Sequence, residues 1–116
     1  MGPFTFPKYK RILNRKDFVN LNRLGKRHQT AHFKIIFGKN GLGITRLGIT
    51  VSKKIGNSVK RNRVKRFIRE FYRLHKTYFP QGYDIVIVAK KGVCDLDFWT
   101  IKEELGKSIL DKRLCV

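Results

Sequence analysis

In the stretch SVKRNRVKRFIRE, Ser58 to Glu70, six of thirteen side chains are Lys or Arg and one is acidic. Guanidinium groups keep their proton at any physiological pH, so their chemistry is recognition: bidentate contact with phosphate oxygens and stacking on bases. On a helical wheel with Val59 at 0° and about 100° per residue, Arg61, Tyr72, Lys65, Arg69, Asn62, Arg73 and Arg66 fill the sector from about 200° to 340°. Leu74, Phe67, Tyr78, Phe71, Val64 and Ile68 fall between about 60° and 180°. One face can therefore enter a core while the other carries cations with no acid among them. Glu70 lies just outside the stripe, at helical spacing from Arg66 and Arg73. Most charged helix faces are solvated and mix both signs. An unmixed stripe is better explained by phosphates that supply the missing counterions.

Groups that could activate water or hold a metal are scattered by comparison. Asp17, Glu70 and Asp84 are far apart, and His28, His32 and His75 lack ligand spacing. Asp95 and Asp97 stand before an amphipathic segment, where carboxylates cap a helix and complement its dipole. Cys94 and Cys115 form no CxxC or Cys/His pattern and read as reduced thiols without zinc. A nuclease built from protein groups alone needs converging carboxylates or His, and this pattern does not supply them.

The rest of the chain must position that stripe. Its 116 residues carry 27 Lys and Arg against 8 Asp and Glu, a formal charge of +19, with 41% apolar residues including nine Phe. This composition fits one folded domain over residues 1–116 with a polyanionic partner. Residues 1–10, with Pro3 and Pro7, read as an irregular arm. The excess of positive charge lies before Asp84, and from there to Val116 the signs balance. No segment approaches the roughly 20 apolar residues of a membrane span, and no secretory or lipidation pattern stands out. A cytosolic protein with no membrane partner is expected.

Asn14 can cap a first helix that Gly25 stops, with Phe18 and Leu21 on one face and Leu24 close by. Residues 31–37 alternate, Ala31, Phe33, Ile35 and Phe37 against His32, Lys34 and Ile36, as a half-buried strand does. Lys39, Asn40 and Gly41 suit a hairpin turn into a second strand. That strand has Leu47, Ile49 and Val51 inward and Gly48, Thr50 and Ser52 outward. YDIVIVAKK is apolar on both faces, hence a central strand. DLDFWTIKEELGKSIL closes the chain as an amphipathic helix with Phe98, Ile101, Leu105 and Ile109 inward. The class is α+β.

VSKKIGNSVKRNRVKRFIRE, Val51 to Glu70, closely resembles the signature of the protein subunit of bacterial ribonuclease P, with its SKK, Gly, RNR and KRxxRE elements in order. The resemblance implies an α-β sandwich with a small mixed sheet and three helices, of the ribosomal protein S5 domain 2-like type. Its RNR helix makes a left-handed βαβ crossover, against the usual right-handed rule. The implied function is removal of the 5′ leader of precursor transfer RNA by Mg²⁺-dependent phosphodiester hydrolysis, carried out by a catalytic RNA subunit that this protein would assist. Mg²⁺ would be held mainly by the RNA.

Carried over by position, contacts to the catalytic RNA fall to Lys53, Lys54, Arg61, Asn62, Arg63, Lys65, Arg66 and Arg69. Contacts to the leader fall to Phe18, Lys34, Ile36, Thr50 and Ser52. Relatives often place a second aromatic one turn after the Phe18 position and another at the Ile36 position. This chain has Asn22 and Ile36 there, which favours contact with the leader's backbone over base stacking. Composition alone would also fit a ribosomal or other general RNA-binding protein, and the ordered signature separates the two. DNA is not an expected partner: a helix-turn-helix needs a short helix just before the basic one, where LGITVSKK reads as a strand. Binding to a membrane surface would require the apolar arc that the core needs.

Overall fold

The computed structural model describes Leu21, Phe79 and residues 25–41, 43–76 and 81–109. Four strands form one mixed sheet: β1 (Lys26–Gln29), β2 (Phe33–Lys39), β3 (Arg46–Thr50) and β4 (Tyr83–Ala89), in the order β1-β2-β4-β3. β2 runs antiparallel to β1 and β4, whereas β3 runs parallel to β4. Two helices, α1 (Ser58–His75) and α2 (Phe98–Ile109), complete the described fold with a short 3-10 turn at Val93–Asp95. α1 thus joins two neighbouring parallel strands, the crossover position that the resemblance assigns to the RNR helix. The first helix expected from Asn14 lies outside the described residues apart from Leu21, which is helical. The arm at residues 1–10 lies outside them too.

The alternation in β2 and β4 decides where the core sits. Phe33, Ile35 and Phe37 face the same way as Ile85, Ile87 and Ala89, and on that face Val64, Ile68, Phe71 and Tyr72 of α1 meet Ile101 and Leu105 of α2. Leu47 and Val51 join them and Ile49 packs at the margin, as their alternation predicts. Ile36 and Val86 point to the opposite face, where they are buried with Leu21 and flanked by Val88. Gly38 lies under Leu21: a Cβ there would come 3.1 Å from its Cδ1.

The expected hairpin between β2 and β3 does not form, because β4 lies between them. β4 is the strand that is apolar on both faces, so it loses most by standing at an edge and takes the place between its neighbours. The segment after β2 is tied to β4 instead: the Asn40 N–H donates to Gly82 O at 2.8 Å, and Asn40 Nδ2 donates to Ile44 O at 2.9 Å and Asp84 Oδ1 at 2.8 Å. Gly41 and Gly43 adopt φ of 70° and 74° in this segment, a backbone region that glycine enters without steric cost. Arg46 closes the arrangement with both Asp84 oxygens, at 2.8 and 2.6 Å.

Two further expectations change. β1, KRHQ, is exposed throughout and has no apolar alternation, so its pairing with β2 gave no signal. Its charges suit an edge strand that must not pair further. Tyr72, assigned by angle to the cationic sector, is only 5% exposed. Phe79 lies against it, ring on ring at 4.8 Å and 20°, covering the flank of α1 that the wheel left open to water.

Candidate nucleic-acid interface

The loop before α1 builds the entrance to the cationic face. After β3, Ser52 O accepts from Ile55 N at 3.0 Å and Ser52 Oγ accepts from Lys54 N at 3.2 Å, a turn that leaves Lys53 and Lys54 exposed. Gly56 follows where a Cβ would come 3.0 Å from Cys94 Sγ, so a side chain there would push the loop off the 3-10 turn. Cys94 is a buried free thiol. Asn57, extended at φ −71° and ψ 172°, caps α1 by accepting from Lys60 N at 2.9 Å.

The first turn of α1 contains no acid, although a helix N-terminus carries partial positive charge and favours one. Lys60, Arg61 and Arg63 crowd this end instead, an arrangement that an external anion relieves. Asn62, Arg63, Arg66 and Arg69 are exposed, and Arg61 and Lys65 are half-buried. Arg61 Nε is a buried donor without a hydrogen-bond partner among the described residues.

Glu70 engages Arg73 rather than Arg66, with contacts of 2.6 and 3.2 Å. The Arg73 hydrogen bond holds the Glu70 carboxyl below its ordinary pKa against a slight opposing effect of burial. Among the described residues, Arg61, Lys65, Arg66 and Arg69 have no ion-pair partner. Arg63 departs from the stripe: its guanidinium lies over the Phe67 ring, 5.1 Å from the centroid.

Of the residues that the resemblance assigns to the leader, Lys34, Ile36 and Thr50 lie on the far side of the sheet. Register aligns Lys34, Val88 and Thr50 in one row and Ile36, Val86 and Gly48 in the next. Thr50 is exposed and Lys34 half-buried, but Ile36 is only 5% exposed within the Leu21 cluster, so it supports this surface more than it presents it. Ser52 stands in the exposed turn beyond β3, beside Lys53 and Lys54, between the two surfaces. Phe18 lies outside the described residues.

Sequence reasoning missed two cations on this side. Arg27 pairs with Ile36 across β1 and β2 and so shares its face. Lys90 Nζ donates to Gln29 Oε1 and Thr30 O, both at 2.8 Å, next to the row of Lys34. Only knowledge of the β1 register could have placed Arg27, and β1 carries no periodic signal.

The described carboxylates are mostly committed to holding the fold. Asp84 binds Arg46 and Asn40, Glu103 pairs with Lys107 at 3.2 Å, and Asp97 Oδ1 accepts from Thr100 N at 2.8 Å to cap α2. Glu104 accepts from Thr30 Oγ1, His32 N and His32 Nδ1, clamping α2 to the β1–β2 turn. No group of three His, Cys, Asp or Glu among the described residues could hold a metal ion. These acids therefore do not fit a Mg²⁺ site formed by the protein on its own. No described helix is long and apolar enough to cross a membrane.

Against known proteins, the model of the family described as Ribonuclease P matches residues 6–113. A ribonuclease P protein component from Desulforapulum autotrophicum is 45% identical over 107 residues, 92% of each chain. A solved RNase P protein from Thermotoga maritima superimposes with a TM-score of 0.81 at 38% identity, covering 87% of this chain and 98% of that one. One from Staphylococcus aureus gives 0.80 at 33% identity, over 87% of this chain and 92% of the other.

Proposed function

The chain belongs to the ribonuclease P protein family, and from that premise we propose that it is the accessory protein subunit of an RNA-based endoribonuclease that removes the 5′ leader of precursor transfer RNA. In this reading the RNA subunit carries the hydrolysis and holds the Mg²⁺, and the protein binds and orients. Lys53, Lys54, Arg61, Asn62, Arg63, Lys65, Arg66 and Arg69 contact the RNA subunit. Lys34 and Thr50 contact the leader on the opposite face and Ser52 at its edge, with Ile36 as support and Phe18 as a further contact.

The observation that carries this reading is the face of α1, where Arg61, Lys65, Arg66 and Arg69 lack ion-pair partners among the described residues. Phosphates provide the negative charge that this face lacks. Placing two basic surfaces on opposite sides of one sheet lets the protein hold two RNA segments at a fixed separation, and such positioning lowers the entropy cost of bringing substrate to catalyst.

The test is reconstitution of the purified protein with a ribonuclease P RNA, Mg²⁺ and precursor transfer RNAs of graded leader length. Specific 5′ cleavage is expected with both subunits, and substrate affinity should rise with leader length and then level off. Lys34→Ala should reduce that gain while sparing a precursor with a minimal leader. Specific 5′ cleavage by contaminant-free protein without RNA would overturn the accessory role. Equal losses at all leader lengths would overturn the leader surface alone.

A further inference from the structure

Trp99 is 68% exposed at the start of α2, where any polar side chain would serve the helix as well. It ends a continuous ladder across both helices. The Arg63 guanidinium lies over Phe67, Phe67 meets Phe98 edge-on at 5.7 Å, Phe98 meets Trp99 edge-on at 5.5 Å, and Lys102 Nζ lies 5.2 Å from the indole centroid. We propose that Trp99, with Lys102 beside it and Arg63 at the far end of the ladder, is a stacking platform for an unpaired nucleotide of the RNA subunit that α1 contacts.

An indole offers a large π-face that any base can cover, and a cation beside it, here Lys102, can receive an adjoining phosphate. Phe67 and Phe98 are half-buried, so the ladder is anchored in the core margin and its exposed end is held in place. Of the acids nearby, Asp97 caps α2 and its charge also attracts Arg63, while Glu103 pairs with Lys107, which leaves Lys102 without an ion-pair partner among the described residues. Arg63 belongs to the RNR element, so the ladder begins at a residue assigned to the RNA subunit although it lies off the cationic stripe.

Position also selects the occupant. α2 packs beside α1 on the core side of the sheet, whereas Lys34 and Thr50 lie on the other side. A leader held there would not reach Trp99 without rounding the sheet, so the RNA subunit is the source of the nucleotide. This inference rests on the proposed role of α1.

Trp99 is the only tryptophan in the chain, so its emission reports the site directly. The intact protein would be titrated with the RNA subunit, with a fully duplex RNA of equal length, and with the RNA subunit followed by precursor transfer RNA. A saturating change in emission is expected with the RNA subunit alone, at the concentrations where filter binding shows the complex. Trp99→Ala should weaken that complex by about 5- to 150-fold, the range expected for one stacked base, with an unchanged melting temperature. Trp99→Phe should recover most of the loss.

A silent indole in a formed complex, or full affinity in Trp99→Ala, would overturn the platform. So would an equal response to duplex RNA, which would indicate phosphate contact without stacking, or a response only after precursor is added. Arg61→Ala, Lys65→Ala and Arg69→Ala combined separates the readings. Lost affinity there with a silent Trp99 removes the platform alone, and full affinity in that triple variant removes the α1 reading beneath it.

Discussion

α1 and α2 bury their apolar stripes in the same core, yet their outward faces differ in kind. On α2 the charges mix both signs, and the exposed Lys107 meets the exposed Glu103 at 3.2 Å one turn away. On α1 the one pair is Arg73 with Glu70, and Arg61, Lys65, Arg66 and Arg69 stand without an acid among the described residues. Both helices need a solvated face for solubility, and a mixed one achieves it without repulsion. A face of one sign adds self-repulsion to the folded state, so what separates the two helices is a requirement from outside the protein.

The largest effect should come where the helices do not differ. Phe71 is fully buried against the sheet and meets Phe79 edge-on at 6.1 Å. Phe71→Ala should cost about 3 to 5 kcal/mol of stability, the usual loss for a buried Phe. Denaturant unfolding followed by circular dichroism measures it. Separate unfolding transitions for the two helices would break the premise that one core holds both.

Next comes the face that belongs to α1 alone. Arg61→Ala, Lys65→Ala and Arg69→Ala together should leave unfolding nearly unchanged, because none of the three enters the core. The slope of log affinity for the RNA subunit against log salt should flatten by about two to three units as three phosphate contacts are lost. An unchanged slope would make the face of α1 an ordinary solvated surface and erase its contrast with α2.

A third effect belongs to α2. Burial works against the charged form of Glu104, but hydrogen bonds from Thr30 and from the His32 ring and backbone outweigh it and hold the carboxyl below its ordinary pKa. Such a group stabilises the fold fully above its ordinary pKa and ceases to do so as pH falls through the depressed value. The contribution should therefore fade below about pH 4. Glu104→Gln should cost about 1 to 3 kcal/mol at neutral pH, the range for a disrupted buried hydrogen-bond cluster, and its difference from the parent should shrink in acid. Chemical denaturation at several pH values checks both. A constant difference down to acid pH would show that charge on Glu104 is irrelevant to the clamp.

How far the two helices could be read beforehand follows from what periodicity records. The amphipathic arc of α1 named Val64, Ile68 and Phe71, and alternation named both faces of β2 and the central place of β4, because burial leaves its period in the residue types. Pairing leaves none: the insertion of β4 between β2 and β3, and the whole of β1, depend on backbone contacts between distant segments. Tyr72 was misplaced for a related reason, since its cover comes from Phe79 beyond the helix. In the interface, residue type identified the cations of α1, but register was needed to bring Lys34, Thr50 and Arg27 to one face and to show Ile36 largely covered.

The smallest expected effect is also the closest control. Arg66→Ala and Lys107→Ala each remove one cation from an exposed helical position, on α1 and α2 respectively. Neither should change stability by more than about 0.5 kcal/mol, since exposed charges and i,i+4 pairs contribute little. Their effects on RNA should part. Arg66 lies in the unmixed face, so Arg66→Ala should lower the salt slope of RNA-subunit binding by about one unit. Lys107 already has Glu103 as a counterion, so removing it releases an acid rather than a phosphate contact, and the slope should stay with the parent. Because the formal charge of the two variants is the same, net charge cannot produce the difference. Matching slopes would mean that RNA senses only the overall charge of the protein, and the distinction between the two faces would then carry no consequence for binding.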